Sequence, residues 1–301
     1  MSGVSGTVLI GGGSGFVGKH LSSLLQTQGY GVKIISRMPG PQRMSWHELS
    51  KNGLPNDTTA VVNLAGQNVL DMKQKWNAGF KQNIWNSRIN TTQALAQAIT
   101  KSSEKPASFV LMTGIGIYEP SEKVEYTESS HTSEYDFLSS MCHEWEKSIQ
   151  LPNDVNCRQV IIRSGVVLGR KGGMIQQLFL PFYLGLGGPI ATGKQYLPWI
   201  HIDDICRMIL FAIQNNNITG VLNGVAPQQV TNEEFTTAFA QALYRPAFIP
   251  VPELILNFLL SEERAKMLTQ GQRVIPKRTQ SLGFQYCYPD IYSACKEFAH
   301  L

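Results

Sequence analysis

The chain has 301 residues, of which 43% are hydrophobic, so it is long enough to bury a complete α/β core and a second, smaller lobe. Its formal charge of +4 includes no block of consecutive basic residues, which argues against binding to nucleic acids or to anionic membranes. The five cysteines are odd in number, widely separated and lack a C-x-x-C pair, which argues against a disulfide framework and a structural zinc site.

The first predicted unit is a strand, a glycine-rich turn and a helix. Residues 7–10 are apolar and typical of a buried strand, and residues 15–28 have helical spacing. Between them, Gly12 is expected to allow a tight turn, Gly15 to let a diphosphate approach the backbone, and Gly18 to bring the helix close to the sheet. The helix N-terminus would then face phosphate groups.

The second strand, predicted over 32–37, ends at the position that selects the cofactor. NAD-binding folds place an acidic residue there to bind the ribose hydroxyls, whereas a 2′-phosphate requires a small donor and a cation. Ser36 and Arg37 supply these two groups, so the sequence predicts NADP(H). The alternative is that Arg37 is a solvated residue at a strand end.

The next segments continue an alternation of strand and helix. We predict a third strand over 60–66, a long helix over 77–100 that contains Arg88, and a fourth strand over 107–113. The fourth strand brings Thr113 to the carboxyl edge of the sheet, where ligands bind in doubly wound folds. The sequence therefore predicts an α/β fold with a doubly wound parallel sheet.

The last third of the chain becomes increasingly helical. A fifth strand with a turn beyond it is predicted over 159–169 and a sixth over 220–223, with a helix over 205–214. Thr231 and Glu234 have the spacing of a capping box at the start of another helix. A further helix is predicted over 254–268. The proposed division is a dinucleotide-binding domain over 1–225, with 183–199 contributing to the substrate lobe, and a helical substrate domain over 226–301.

Several motifs resemble those of the extended short-chain dehydrogenase/reductase superfamily. They are the G-x-x-G-x-x-G turn, the N-x-A-G segment at Asn63, the S-x-x-x-V-Y-like segment 113–118, the R-x-x-x-V-x-G element at Arg163, and the W-x-H-x-D-D segment at Trp199. Together with the segment 186–190 and the tail 271–284, they are similar to the atypical branch called the YfcH-like or 39U epimerase family. The resemblance covers nearly the whole chain.

This resemblance implies a set of site residues. Those expected to contact the cofactor are Gly12, Gly15, Phe16, Val17, Ser36, Arg37, Leu64, Ala65, Gly66, Arg88, Thr113, Arg163, Gly165 and Val166. Thr113 is expected to donate a hydrogen bond to the substrate, and Tyr118 and Tyr135 are the candidate proton donors. The superfamily's Y-x-x-x-K pair is not recognisable, because Ser139 stands four residues after Tyr135. No metal site is expected.

The resemblance implies an oxidoreductase or epimerase-like enzyme that transfers a hydride between NADP(H) and an unknown small polar substrate. One alternative is a nucleotide-sugar epimerase, in which Lys194, Arg163 or Arg273 would hold a diphosphate. The other is a non-catalytic NADPH-binding redox sensor. We expect a soluble monomer or homodimer without nucleic-acid or membrane partners. The expected location is an intracellular, reducing compartment, the cytoplasm or an organelle.

Overall fold

The computed structural model describes residues 6–37, 40, 43–71 and 73–299. Its strands are β1 (Thr7–Gly11), β2 (Gly31–Ile35), β3 (Arg43–Met44), β4 (Thr58–Asn63), β5 (Ser108–Gly114), β6 (Ser121–Tyr126), β7 (Arg158–Ser164), β8 (Val166–Gly169), β9 (Trp199–His201), β10 (Gly220–Gly224) and β11 (Gln272–Val274). Its helices are α1 (Phe16–Thr27), α2 (Trp46–Asn52), α3 (Ala78–Lys101), α4 (Phe137–Lys147), α5 (Gly173–Tyr183), α6 (Ile202–Gln214), α7 (Asn232–Leu243), α8 (Glu253–Leu260), α9 (Glu262–Thr269), α10 (Lys277–Ser281) and α11 (Ile291–Ala299).

The central sheet has seven strands in the order β10-β7-β5-β4-β1-β2-β3, and its neighbouring strands are all parallel. The chain first builds outward from β1 to β2 and β3, and then returns to place β4 on the other side of β1. The strand order therefore reverses between β1 and β4, and the carboxyl ends of these strands border the crevice where doubly wound folds bind ligands. The predicted fold class is confirmed.

Successive residues of each strand point to opposite faces of the sheet, which gives the fold two apolar layers. Leu9, Val61 and Phe109 pack on one face with α3 and α4. Val8 and Ile10 pack on the other face with α1 and α6. The sheet thus has helices on both sides, and its carboxyl edge is left for the site.

The C-terminal lobe has a third apolar cluster. Phe182 of α5 and Trp199 of β9 pack there with Phe235 and Phe239 of α7 and with Phe298 of α11. The segment between α5 and β9 therefore belongs to the same packed unit as the last third of the chain. This packing gives the smaller, mostly helical lobe that was predicted, while the boundary at residue 225 stays a prediction.

The structure differs from the predicted elements in several places. The helix predicted over 254–268 is divided into α8 and α9, because Ser261 has a φ of +75° and cannot continue a right-handed helix. The strand predicted over 159–169 is interrupted at Gly165, after which the amide of Val166 donates to the carbonyl of Pro198 instead of continuing the central sheet. The short elements β3 and α2 were not predicted.

Candidate functional site

The glycine turn between β1 and α1 forms a cradle at the switch point of the sheet. Gly12 has a φ of +74°, and a Cβ atom there would lie 2.7 Å from the backbone nitrogen of Ala65. At Gly18 a Cβ atom would lie 2.5 Å from the Cα atom of Gly13. The predicted turn-forming role of Gly12 and the close-packing role of Gly18 are therefore confirmed, because neither position has room for a side chain.

The N-terminus of α1 opens into this cradle. Gly15 is its exposed N-cap residue, no side chain in the described part of the chain caps the helix, and its first turn contains no acidic residue. An uncapped helix N-terminus presents N–H groups and a positive dipole end, both of which favour a phosphate. Phe16 and Val17, the first residues of the helix, are half-buried and pack against the apolar layer on this side of the sheet.

The end of β2 lies beside the cradle. The hydroxyl of Ser36 is buried and lies 3.2 Å from the hydroxyl of Ser14 in the glycine turn. Arg37 follows and is exposed. The sequence places no acidic residue at this strand end, so the position keeps the donor and the cation that a 2′-phosphate requires.

The end of β4 forms the opposite wall of the cradle. Asn63 is fully buried, donates to Thr92 Oγ1 at 2.9 Å, and accepts from the amide of Ala65 at 3.0 Å. The amide of Leu64 donates to the carbonyl of Gly11 at 2.8 Å. These bonds fix residues 64–66 against β1, and sequence reasoning did not assign this anchoring role to Asn63.

Arg88 on α3 places a guanidinium directly behind this wall. A Cβ atom on Gly66 would lie 3.1 Å from Arg88 Cζ. Nη1 of Arg88 donates to the carbonyls of Gln67 and Ile84 at 3.0 and 3.2 Å, whereas its Nε is buried and has no hydrogen-bond partner among the residues that the structure describes. Within the described residues no carboxylate forms an ion pair with it, and burial lowers its pKa to about 10.

At the end of β5, Thr113 belongs to a buried polar network. Its hydroxyl donates to Glu146 Oε1 at 3.2 Å, and Arg163 donates to both oxygens of that carboxylate at 2.8 and 2.7 Å. Burial disfavours the charge of Arg163, but the hydrogen bonds and attraction of Glu146 outweigh it, so the pKa of Arg163 is raised. Glu146 was not predicted, because nothing in its local sequence relates it to Thr113 or Arg163.

Both candidate tyrosines are engaged with protein groups. Tyr118 is fully buried, donates to Asn223 Oδ1 at 2.8 Å and accepts from Arg163 Nη1 at 2.9 Å. Tyr135 directs its hydroxyl to the carbonyls of Tyr118 and Gly116 at 2.8 and 3.0 Å. Burial raises the pKa of both phenols.

These contacts bear on the predicted catalytic roles. The ionised carboxylate of Glu146 can only accept, so the hydroxyl of Thr113 must be the donor in this hydrogen bond. The hydroxyl oxygen of Thr113 can then only accept a hydrogen bond from another group. Its expected role as donor to the substrate, and the expected proton-donor roles of Tyr118 and Tyr135, are not provided by this geometry. The structure brings Thr113, Tyr118 and Arg163 together in one network, and the catalytic assignments stay predictions.

The turn from β7 into β8 continues the edge of the sheet. Gly165 donates from its amide to the carbonyl of Gly224, and a Cβ atom on it would lie 2.6 Å from the carbonyl oxygen of Pro198. Val166 is half-buried and bonded to the same carbonyl. This backbone is therefore fixed by hydrogen bonds to Gly224 and Pro198, and its contact with a cofactor stays a prediction.

The W-x-H-x-D-D segment connects the sheet to the C-terminal lobe. His201 is buried between Tyr288 and Phe298, with ring centroids 3.8 and 5.2 Å away, and its Nδ1 accepts from the amide of Asp203 at 3.1 Å. Burial lowers the pKa of His201. Asp204 is fully buried and accepts from the amides of Cys287 and Tyr288. The aromatic contacts and the bond from Asp203 give His201 a packing role at the start of α6.

The cations considered for a sugar diphosphate are dispersed. Arg163 is committed to Glu146, and Arg273 pairs with Glu125 at 3.1 Å. Lys194 is exposed. Across residues 6–37, 40, 43–71 and 73–299, no group of three or more His, Cys, Asp or Glu side chains is placed to hold a metal ion. In the same part of the chain, no helix is long and apolar enough to cross a membrane.

Residues 8–223 match the model of the NAD dependent epimerase/dehydratase family. The chain belongs to the NAD-dependent epimerase/dehydratase family. Residues 251–298 of this family member match a second model, which is described as a domain of unknown function, DUF1731.

Individual relatives in the epimerase/dehydratase family cover almost the whole chain. The human epimerase family protein SDR39U1 is 48% identical over 290 residues, which are 96% of this chain and 98% of the human one. The Bacillus subtilis epimerase family protein YfhF is 37% identical and covers 95% of both chains. An Arabidopsis thaliana homologue of SDR39U1, whose name describes it as chloroplastic, is 32% identical over 96% of this chain and 86% of its own.

Solved structures extend the comparison. The crystal structure of human SDR39U1 with NADPH superposes with a TM-score of 0.95, at 48% identity, over 97% of this chain and 99% of that one. UDP-N-acetylglucosamine 4-epimerase from Bacillus cereus superposes with a TM-score of 0.77 at 16% identity, over 98% of each chain. The second likeness concerns the fold alone. The predicted membership of an epimerase branch with an extended short-chain dehydrogenase fold is confirmed.

Proposed function

We propose that this chain binds NADP(H) across the switch point between β1 and β4. The observation that carries the proposal is Arg88, a buried guanidinium with an unpartnered Nε and no carboxylate partner among the described residues, directly behind Gly66. A buried cation without a counterion is costly, and an anionic ligand would remove this cost. The crystal structure of the human relative with NADPH supports the same ligand.

Each part of the dinucleotide has residues suited to hold it. The N-terminus of α1 and Arg88 would hold the diphosphate, because the helix contributes N–H groups and the arginine a charge. Ser36 and Arg37 would hold the 2′-phosphate at the end of β2. The backbone at Gly165 and Val166 would support the nicotinamide ring. When bound, that ring supplies or accepts a hydride.

The choice between NADPH and NADH tests the assignment of the 2′-phosphate. Replacing Arg37 by glutamate removes a cation and adds a like charge beside the phosphate. We expect NADPH affinity to fall about tenfold or more, while NADH affinity is retained. Titrations that follow nicotinamide fluorescence measure both constants. Equal losses for the two cofactors would contradict the assignment, whereas no binding of either by the wild-type protein would contradict the proposed function itself.

We further propose that the bound cofactor exchanges a hydride with a carbinol or carbonyl carbon of a small polar substrate. Family membership supports this reaction class. The acid would be a water molecule or a substrate group, because the hydroxyls of Thr113, Tyr118 and Tyr135 are directed to protein acceptors. A nucleotide-sugar epimerase is supported less, since Arg163 and Arg273 are already paired with carboxylates.

A non-catalytic NADPH sensor is the second candidate, and the same commitment of the three hydroxyls favours it. A single-turnover experiment separates the two candidates. The NADPH-loaded protein is mixed with a panel of carbonyl compounds, and the nicotinamide absorbance is followed. Oxidation of the bound cofactor by any of them supports the oxidoreductase, whereas a sensor would leave it reduced throughout. The odd cysteine count supports an intracellular, reducing location for either candidate, in the cytoplasm or an organelle.

A further inference from the structure

Exposed apolar side chains are concentrated in one part of the C-terminal lobe. Among the residues that the structure describes, thirteen large apolar side chains are exposed, and eleven of them fall within residues 180–186 and 244–259. Tyr244 and Phe248 are 87% and 76% exposed. Apolar residues scattered singly over a surface are ordinary, whereas a large cluster of them marks an interaction site.

The two stretches that carry this cluster lie side by side. Arg245 Nε donates to the carbonyl of Tyr183 at 2.8 Å, and the guanidinium of Arg245 lies 4.9 Å from the centre of the Tyr183 ring. The amide of Ile249 donates to the carbonyl of Gly187 at 3.2 Å. The exposed apolar side chains of the two stretches therefore form one surface, which we call the apolar face.

Helix α8 forms one end of the apolar face and is apolar on both of its sides. Leu256 and Leu260 lie on its inner side and are buried. Its outer side presents Leu254 and Phe258, which are 81% and 90% exposed. A helix that is apolar all round is normally covered all round, so the composition of α8 indicates a partner for its outer side.

The apolar face is large enough for a stable interface. An aromatic side chain can bury about 150 to 250 Å², so Tyr244, Phe248 and Phe258 together present roughly 500 Å². The other eight side chains are between 44% and 81% exposed, and they add a comparable area. The total exceeds the roughly 800 Å² that each partner buries in a standard protein interface.

The charges of the apolar face favour a protein partner over a lipid surface. Helices that lie on anionic membranes carry several Lys or Arg residues beside their apolar side. The charged residue of α8 is Glu253 instead, and Arg245 is the other charged residue in the two stretches. The apolar face thus contains one cation and one anion, and both of these residues are exposed.

The positions of these two charges allow the face to complement a second copy of itself. Ile249 lies midway in sequence between Arg245 and Glu253, and residues 244–252 contain no helix. A two-fold axis that crosses this segment at Ile249 makes the two copies run in opposite directions, so that each Arg245 faces the partner copy's glutamate. Within the described part of the chain, neither charge belongs to an ion pair.

We propose that the apolar face is the contact surface of a two-fold symmetric homodimer of this chain. Homodimer interfaces are more apolar than the rest of a protein surface and contain few charges at their centre, which are the properties of this face. No residue of the apolar face belongs to the cradle. The dimer is therefore expected to form with or without NADP(H), and its test is independent of the proposed function.

Sedimentation velocity over a range of concentrations measures the association. We expect a species of twice the chain mass of 33.4 kDa, with a Kd at or below about 1 µM. A two-fold interface contains each substitution twice, so Phe258→Lys and Leu254→Lys should each raise the Kd about 100-fold or more. Val124→Lys is the matched control, because Val124 is an exposed apolar residue of β6 outside the face and should leave the Kd unchanged.

Charge reversal tests the pairing of Arg245 with Glu253 across the two-fold axis. Glu253→Arg opposes like charges and should raise the Kd about tenfold, whereas the double variant Glu253→Arg with Arg245→Glu should restore it. Because Arg245 also contacts Tyr183 in its own chain, melting temperatures of the dilute proteins show whether each variant is folded.

Three results would overturn the proposal. The first is a wild-type protein that stays monomeric up to about 100 µM. The second is a dimer that persists in both Phe258→Lys and Leu254→Lys, because its interface must then lie elsewhere. The third comes from cosedimentation with vesicles of phosphatidylcholine and phosphatidylserine. Binding by a monomeric wild-type protein that is lost in Phe258→Lys would assign the apolar face to a membrane surface.

Discussion

Replacing Arg88 by methionine is expected to separate ligand binding from stability. Methionine has a comparable length and carries no charge. Burial lowers the pKa of Arg88 to about 10, which corresponds to a penalty of about 3 kcal/mol on the buried charge. Against this stands the loss of hydrogen bonds to Gln67 and Ile84, each worth about 1 kcal/mol net. The free energy of unfolding of the ligand-free variant should therefore lie within about 1 to 2 kcal/mol of the wild-type value.

NADPH binding should respond differently. A charge-assisted hydrogen bond to a phosphate contributes about 2 to 3 kcal/mol, so the variant should lose affinity by roughly 30-fold to 150-fold. Urea unfolding without nucleotide measures the first effect, and a fluorescence titration with NADPH measures the second. The added stability that NADPH gives to the protein should shrink in parallel, because ligand stabilisation depends on the ratio of concentration to Kd.

Arg158 offers the matched control. It lies at the amino end of β7, far along the strand from the site edge, and donates to the carbonyls of Ala212, Ile213 and Ile218. Arg158→Met should reduce stability and leave NADPH affinity unchanged. If Arg88→Met kept its affinity within about threefold, or lost as much stability without nucleotide as binding energy, the guanidinium would be a structural residue and the reasoning would fail.

Two further substitutions test the geometry on either side of the cofactor path. Gly18→Ala places a Cβ atom 2.5 Å from Gly13 Cα. Urea unfolding should therefore show a free energy of unfolding lower by about 1 to 3 kcal/mol, although alanine is the better helix former. Wild-type stability would contradict the close packing. Glu146→Ala leaves the buried Arg163 without its carboxylate and should lower the free energy of unfolding by about 3 to 5 kcal/mol. Glu146→Gln should lower it less. Equal losses in the two variants would show that the charge of Glu146 does not contribute to stability.

The sequence predicted the parts of the site that depend on neighbouring residues. The positions of Gly12 and Gly18 follow from a glycine motif of seven residues, and their spacing alone indicates where a side chain would collide. The apolar runs likewise predicted the parallel sheet, since buried strands must alternate with covering helices. The apolar runs predicted the ends of the strands less well. Residues 64–66 are still apolar or small, although β4 already ends at Asn63.

The sequence could not show which charges lack a partner. Arg88 lies on a helix with polar neighbours, and only the structure shows that its guanidinium is buried without a carboxylate among the described residues. The contact between Arg264 and the carbonyl of Asp71 has the same origin, because the two residues are separated by 193 positions and a backbone carbonyl carries no signal in the sequence.

The polar network below the sheet edge gives Tyr118, one of the predicted proton donors, hydrogen-bond partners within the protein. The hydroxyl of Tyr118 lies between the guanidinium of Arg163 and the amide oxygen of Asn223, where a missing partner would leave a buried group unsatisfied. The backbone amide of Asn223 donates to Glu128, whose carboxylate also accepts from the amides of Arg278 and Thr279 at the start of α10. A chain of hydrogen bonds thus runs from the sheet edge into the C-terminal lobe. A tyrosine that completes such a chain cannot release its proton without opening the network, so the proton-donor role predicted for Tyr118 would require these hydrogen bonds to break.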